Sequence, residues 1–380
     1  MSGHPTAFQT TPFARYADRA QAGLSRHFGG LGPGSLRSNS PPRVTELAAF
    51  NYWWLAHAVE VRVDAYERSG WSGWLVLARQ TYAGIRRRNR GSLFNSYFDD
   101  MSWLALAALR LFDATAEQQY LRDANALWQR IAQRGAAAAD AGHGKAVAWR
   151  VSQPSYLNAP TNGAFGIVSE RLYERGGGGV TAQFADSSRT FLENTLRDEQ
   201  TALIADGLNR AGDGRIDTDW LFSYNQGLYL GLKTLAFRRT GDTVHLDDAV
   251  GTALATVEQL TDSGVFTNEN VNHQARGGGD VGLFKGIFYR YLADLLCVPE
   301  LRDRTSSADS TGLAAPVAAL ESALRHATDL LWQTFSPSLL AADDWREFAT
   351  APVALSTELS AVMALEARSR FETTIAAAAS

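Results

Sequence analysis

Four stretches of this chain, LRLFDATAEQQYLRDANALW, ERLYERGGGGVTAQFADSSRTFL, LAFRRTGDTVHLDDAVGTAL and RYLADLLCVPELRD, share one grammar. Each closes a helical pattern, turns on small or polar residues and opens another helix. They recur about every 60 residues, the length of a helical hairpin with its connection, so the 380 residues hold roughly six such units. A single hairpin cannot cover its own apolar face, and six that close on one another give an all-α fold, the (α/α)6 barrel. The pattern runs through the whole chain and predicts one domain over residues 1–380, with 1–10 and 370–380 as peripheral tails.

Apolar periodicity of about 3.6 residues places twelve helices at roughly 11–28, 44–68, 73–89, 99–114, 117–135, 160–175, 180–198, 222–240, 243–260, 281–297, 313–335 and 354–369. In such a barrel one helix of each hairpin lines the centre and is buried almost all round, while its partner forms an amphipathic outer ring. The even-numbered segments fit the inner role. They open with FNYWWLAHAV, YFDDMSWLALAAL, NAPTNGAFGIV, FSYNQGLYLGL, VGLFKGIFYRYL and STELSAVMAL, polar groups leading into apolar ones. Their polar ends converge on one mouth. Long connections at about 29–43, 136–158, 199–220, 261–280 and 336–352 mostly precede inner helices, which is how a rigid scaffold gathers loops around a cleft.

Composition narrows the function. A formal charge of −4 gives no electrostatic case for nucleic acid, and no run of about 18 apolar residues predicts a membrane span. Cys297 is the sole cysteine, so neither an internal disulfide nor a thiolate metal cluster can form. The seven histidines are scattered without H-E-x-x-H spacing, LIADGLNRAGDGRIDTD lacks the spacing of a calcium loop, and GGLGPG and RGGGGV lack the context of a phosphate cradle. No metal or organic cofactor is expected. The N-terminus lacks the apolar core of a secretory signal, which predicts a cytoplasmic chain as it stands, or a secreted or cell-envelope one if a leader has been removed. Oligomeric state is not legible.

Asp99 and Asp100 stand side by side where an apolar helix begins. Acidic residues in a first helical turn ordinarily complement the macrodipole and accept from free N–H groups. The alternative is a carboxylate pair for glycoside hydrolysis, in which close like charges leave one group ionised and the other holding a proton. Tyr97, Phe98 and Trp103 beside them offer apolar surface for desolvation and sugar stacking. Asn158 and Asn162 in NAPTNG, and Tyr224, Asn225 and Gln226 in YNQG, bring amides that can donate to and accept from sugar hydroxyls, although Asn158 also suits a helix cap. Lys285 is one of only three lysines, with Lys145 and Lys233, and its place between Phe284 and Phe288 points either to a specific contact or to a snorkelling side chain. Among ten tryptophans, including the Trp53–Trp54 pair, most serve packing, and Trp149 and Trp220 beside long loops are the better candidates for the cleft.

Taken together, YFDDMSWLALAALRLFDATAEQQYL, NAPTNGAFGIVSERLY, LIADGL…WLFSYNQGLYLGLKTLAFRRTGD and FKGIFYRYL resemble the motif succession of glycoside hydrolase family 76, the endo-α-1,6-mannanases. The similarity runs from about Phe8 to the last helix and is most specific in the Asp-Asp and Tyr-Asn-Gln-Gly blocks. It implies an (α/α)6 barrel, a mannan or manno-oligosaccharide substrate, cleavage of α-1,6 linkages with retention, Asp99 as nucleophile and Asp100 as general acid/base. Two rival readings keep the sugar but change the role. One is another sugar-active barrel enzyme of the unsaturated-glucuronyl hydrolase or epimerase kind; the epimerases work through histidines, and His57 is the only one in the quoted inner-helix openings. The other is a glycan-binding protein without turnover, against which the intact aspartate pair counts.

Overall fold

A computed structural model describes residues 11–43, 49–136, 144–267, 269, 279–306 and 312–379. Its helices are α1 (Pro12–Phe28), α2 (Tyr52–Ser69), α3 (Gly73–Arg88), α4 (Phe98–Thr115), α5 (Gln118–Arg134), α6 (Ala159–Glu174), α7 (Gly178–Phe191), α8 (Ser223–Thr240), α9 (Val244–Leu260), α10 (Val281–Leu296), α11 (Pro299–Ser306), α12 (Ala314–Phe335) and α13 (Leu355–Ala379). Helices α2, α4, α6, α8, α10 and α13 pack each on the next, and α13 packs back on α2 to close the ring. Outside them α3 lies on α2, α5 on α4, α7 on α6, α9 on α8 and α1 on α13, while α12 rests against α9, α10 and α13. The fold is the expected (α/α)6 barrel.

The two rings differ as their sequences require. Outer α5 buries Tyr120, Ala124, Leu127, Trp128 and Ile131, a single stripe at helical spacing. Inner α8 is buried on every side from Asn225 to Phe237. Close approach of inner helices depends on glycine: a Cβ at Gly227 would stand 2.7 Å from Phe288 Cα, and one at Gly286 2.6 Å from Ser360 Cα. Alanine at either place would push two inner helices apart.

Below the mouth the barrel axis is charged. Arg110 on α4 donates to Asp64 on α2 at 2.5 Å, and Arg290 on α10 reaches the other Asp64 oxygen at 2.6 Å and Glu60 at 2.9 Å. All four side chains are nine-tenths buried or more, so their charges depend on one another, and removing Arg290 would leave the Glu60 carboxylate buried without its cation.

Several expected boundaries move. The second helix begins at Tyr52 rather than 44; Asn51 before it is non-helical, and residues 44–48 lie outside the described residues. The segment expected over 180–198 is α-helical only to Phe191 and continues as a π-helical turn, Leu192–Leu196. The stretch from residue 370, expected as a peripheral tail, extends α13 to Ala379 and buries Phe371 completely. Helix α11 has no place among the twelve expected helices, because PELRDRTS is short and carries no apolar stripe of its own.

The long connections contain small antiparallel sheets. Strand β1 (Asn39–Ser40) pairs with β7 (Val353–Ala354), β2 (Ala148–Arg150) with β3 (Gln153–Asn158), β3 with β4 (Gly207–Leu208), and β5 (Thr261–Asp262) with β6 (Val265–Phe266). They stiffen the loops before inner helices. Strand β3 runs directly into α6, where Asn158 caps the helix by accepting from Thr161 N at 3.3 Å.

Candidate active site

Asp99 and Asp100 occupy the first turn of α4, and they are not idle dipole partners. Trp149 on β2 sends its indole N–H to Asp99 Oδ2 at 3.0 Å, and the Asp100 backbone N–H donates to Asp99 Oδ1 at 2.9 Å. Asn95 donates through Nδ2 to Asp100 Oδ2 at 2.7 Å. Tyr97 stands beside them, its ring edge-on to Trp149 at 5.5 Å and its hydroxyl accepting from Arg150 at 3.1 Å. Burial raises both carboxyls above the ordinary range, but not equally. Asp99, restrained by the Asp100 and Trp149 donors, rises to about 7. Asp100 is pushed well above its ordinary value by burial and then by the charge of Asp99. Both carboxyls are thus biased towards holding a proton, Asp100 the more so because the charge of Asp99 opposes its ionisation.

Asp206 forms a second centre on the next side of the mouth. It accepts from Tyr156 at 2.7 Å and from Asn225 Nδ2 at 3.0 Å, and pairs with Arg210. Asn225 is fully buried with Oδ1 left without a partner among the described residues. The Arg210 guanidinium lies over Trp220, 3.9 Å from the ring centre. Trp149 links the two centres, its ring edge-on to Tyr156 at 5.7 Å.

Two of the amides expected at the mouth are committed elsewhere. Asn162 accepts from Val147 N at 2.7 Å and donates to Val147 O and Asn158 O at 2.9 and 2.8 Å. Gln226 accepts from Ile204 N at 2.8 Å and donates to Ile204 O and Phe222 O at 2.8 and 3.3 Å. Both are fully buried, with both amide donors used and the oxygen engaged. Each grips both polar groups of one residue in the preceding loop, so they act as struts rather than sugar contacts. Asn158 likewise spends its oxygen on the cap. Lys285 is buried, its ammonium donating to the Asp343 carbonyl and lying 5.7 Å from the Trp345 ring centre.

Aromatic rings span the remaining side. Trp103 is buried against Trp53 at 6.3 Å, Trp53 meets Phe284 at 6.4 Å, and Phe284 stacks on Tyr224 at 3.8 Å with planes 1° apart. Tyr224 titrates well above its ordinary value, chiefly through burial and then through Asp206, with Tyr156, Asp99 and Asp280 adding to it, which places it electrostatically between the two centres. Beyond Trp54 opens a cavity of about 1160 Å³ whose walls include Asn51, Glu269, Lys285, Asp343 and Phe348. The aspartate pair does not line it.

The sequence between residues 14 and 364 matches the model of glycosyl hydrolase family 76. The chain belongs to that family. Its solved relatives agree in fold: the Lin0763 protein from Listeria innocua is 34% identical, with 95% of this chain and 98% of that one covered at a TM-score of 0.83. The GH76A α-1,6-mannanase from Salegentibacter sp. HEL1_6 is 32% identical, with 94% and 98% covered at a TM-score of 0.82. An inactive variant of that mannanase, with two consecutive aspartates changed to asparagine and α-1,6-mannotriose bound, is 31% identical, with 94% and 99% covered at 0.83. None of the curated proteins searched is significantly similar.

As a glycoside hydrolase, this family 76 member needs carboxyl chemistry, and its other titratable groups near the mouth fit that less well. His57 is 1% exposed, 4.6 Å from the Trp103 ring, and its Nδ1 stands 3.0 Å from Glu60 Oε2 without hydrogen-bond alignment. Burial lowers its pKa, and at that exposure it is a core group with no open face for a substrate. Among the described residues no three His, Cys, Asp or Glu side chains are grouped to hold a metal ion, and none of the helices is long and apolar enough to cross a membrane. Sequence reasoning missed Asn95, Asp206 and Asp280. Asp206 lies in the stretch weighed only as a calcium loop, and Asp280 follows a glycine run whose chemistry is silent until the barrel closes.

Proposed function

We propose that this family 76 hydrolase cleaves α-1,6-mannosidic bonds of mannan with retention of configuration, Asp99 acting as nucleophile and Asp100 as general acid and then base. The observation that carries the reading is the pair itself: two adjacent half-buried carboxyls whose surroundings both favour holding a proton, the more so at Asp100. The solved relative that binds α-1,6-mannotriose supports the substrate.

In the first step the Asp99 carboxylate attacks the anomeric carbon as the glycosidic C–O bond breaks, and Asp100 delivers its proton to the departing oxygen. Asn95 donates to Asp100 Oδ2, which assigns the proton to Oδ1. In the second step Asp100, now ionised, takes a proton from water, whose oxygen displaces Asp99 from the mannosyl ester and restores the α configuration. Trp149 holds Asp99 Oδ2 throughout and favours its ionised form, as ester cleavage requires. Product analysis after incubation with linear α-1,6-mannan, beside α-1,2- and α-1,3-linked oligomannosides, tests the assignment. Release of shorter manno-oligosaccharides from the α-1,6 polymer alone is expected, and equal or exclusive attack on the other linkages would refute it.

A further inference from the structure

Asp280 is the N-cap residue of α10, yet its side chain makes no cap hydrogen bond. An aspartate there ordinarily accepts from the N–H groups of the first turn. Instead a single oxygen, Oδ1, accepts the indole N–H of Trp53 at 3.0 Å and that of Trp54 at 2.9 Å. The two indoles come from the first turn of α2, so one carboxylate ties the openings of two inner helices across the closed ring. Trp54 is buried, whereas Trp53 is half-buried and lies between Trp103 of α4 and Phe284 of α10. The same carboxylate, itself exposed, lies near enough to the aspartate pair for its charge to add to the upward push on Asp99, Asp100 and Tyr224. A carboxylate with no capping duty, spent on two indoles beside the reacting groups, is placed to fix where an aromatic ring stands.

We propose that Asp280 is a positioning residue of the hydrolase, acting through Trp53: by clamping both indole N–H groups it holds Trp53 as a fixed wall on which a sugar ring of the substrate stacks beside Asp99 and Asp100. This rests on the function proposed above. An indole free to turn would pay, at each binding event, the ordering that the clamp supplies in advance.

Steady-state kinetics on α-1,6-mannotetraose test it with four proteins: Asp280→Ala, Asp280→Asn, Trp53→Ala and the Asp280→Ala/Trp53→Ala double variant. Asp280→Ala raises KM about tenfold while kcat changes less than about threefold, since a stacking platform contributes mainly to binding. Asp280→Asn keeps an oxygen able to accept from both indoles and stays within about threefold of the wild-type KM. Trp53→Ala matches Asp280→Ala, and the double variant is no worse than Trp53→Ala alone, because the second loss acts through a ring already gone. An unchanged KM in Asp280→Ala, equal damage from asparagine and alanine, or additive losses in the double variant would each overturn the proposal. Failure of the wild type to cleave any α-1,6-mannan would instead overturn the function it rests on.

Discussion

Glu358, near the start of α13, offers a stability measurement whose size follows from the site. It is fully buried, with Oε2 accepting from the Ala341 N–H at 3.0 Å and Oε1 without a partner among the described residues. It ties α13 to the loop before it, as Asn162 and Gln226 do for α6 and α8. Burial raises its pKa from 4.5 to about 8. A carboxyl whose folded pKa lies above its unfolded one takes up a proton on folding, so its contribution is whole below about pH 4.5 and is lost as pH rises towards 8. At about 1.4 kcal/mol for each unit, the loss is about 1 kcal/mol at pH 5, about 3 at pH 7 and about 4 at pH 8. Glu358→Gln keeps an acceptor for Ala341 and cannot ionise. Urea unfolding of both proteins from pH 5 to pH 8 reads the difference, and the variant should gain about 3 kcal/mol on the wild type across that range. A difference that does not change with pH would refute the reasoning, whatever its absolute size.

Three further outcomes are expected. Asp99→Asn and Asp100→Asn each lower turnover by roughly a thousandfold or more, with melting temperatures no lower than the wild type, because each removes a carboxyl whose ionisation burial opposes; near wild-type rates in both would void the assignment. Trp149→Phe removes a donor that restrains Asp99. The acid limb of kcat/KM, which rises through about pH 7 as Asp99 ionises, should then move to higher pH, and a pH–rate profile that does not move would contradict that role. Asn225→Ala should lower kcat/KM by about tenfold through Asp206, while Gln226→Ala should cost about 2–3 kcal/mol in unfolding for the two Ile204 groups it strands. The exposed Gln118→Ala should do neither, and equal small effects at all three would reduce the Tyr-Asn-Gln-Gly block to packing.

The barrel was legible because inner and outer helices differ in periodicity, and because polar openings on alternate helices can face only one rim of a closed ring. The aspartate pair was legible from its cost: like charges side by side at the head of an apolar helix need a reason. Asn162 and Gln226 were misread because an amide that can serve a sugar hydroxyl can equally serve a peptide group, and only the fold shows that Val147 and Ile204 stand opposite them. Lys285 was right as an oddity, but its specific contact, the Asp343 carbonyl, could not be read because it lies 58 residues away in sequence. Trp149 was singled out by its neighbourhood of loops, and its hydrogen bond to Asp99 could be read only from the fold. Asp280 could not have been, because what distinguishes it is a pair of indoles 226 and 227 residues earlier.

On the proposed mechanism Asp99 forms a mannosyl ester which water, activated by Asp100, then opens. Proton NMR of α-1,6-mannotetraose during the first minutes of cleavage, before mutarotation, reads this directly from the anomeric signal of the new reducing end. The α-anomer is expected first, with β growing only as mutarotation proceeds. An initial β-anomer would contradict it, because a single displacement by water leaves Asp99 no bond to make.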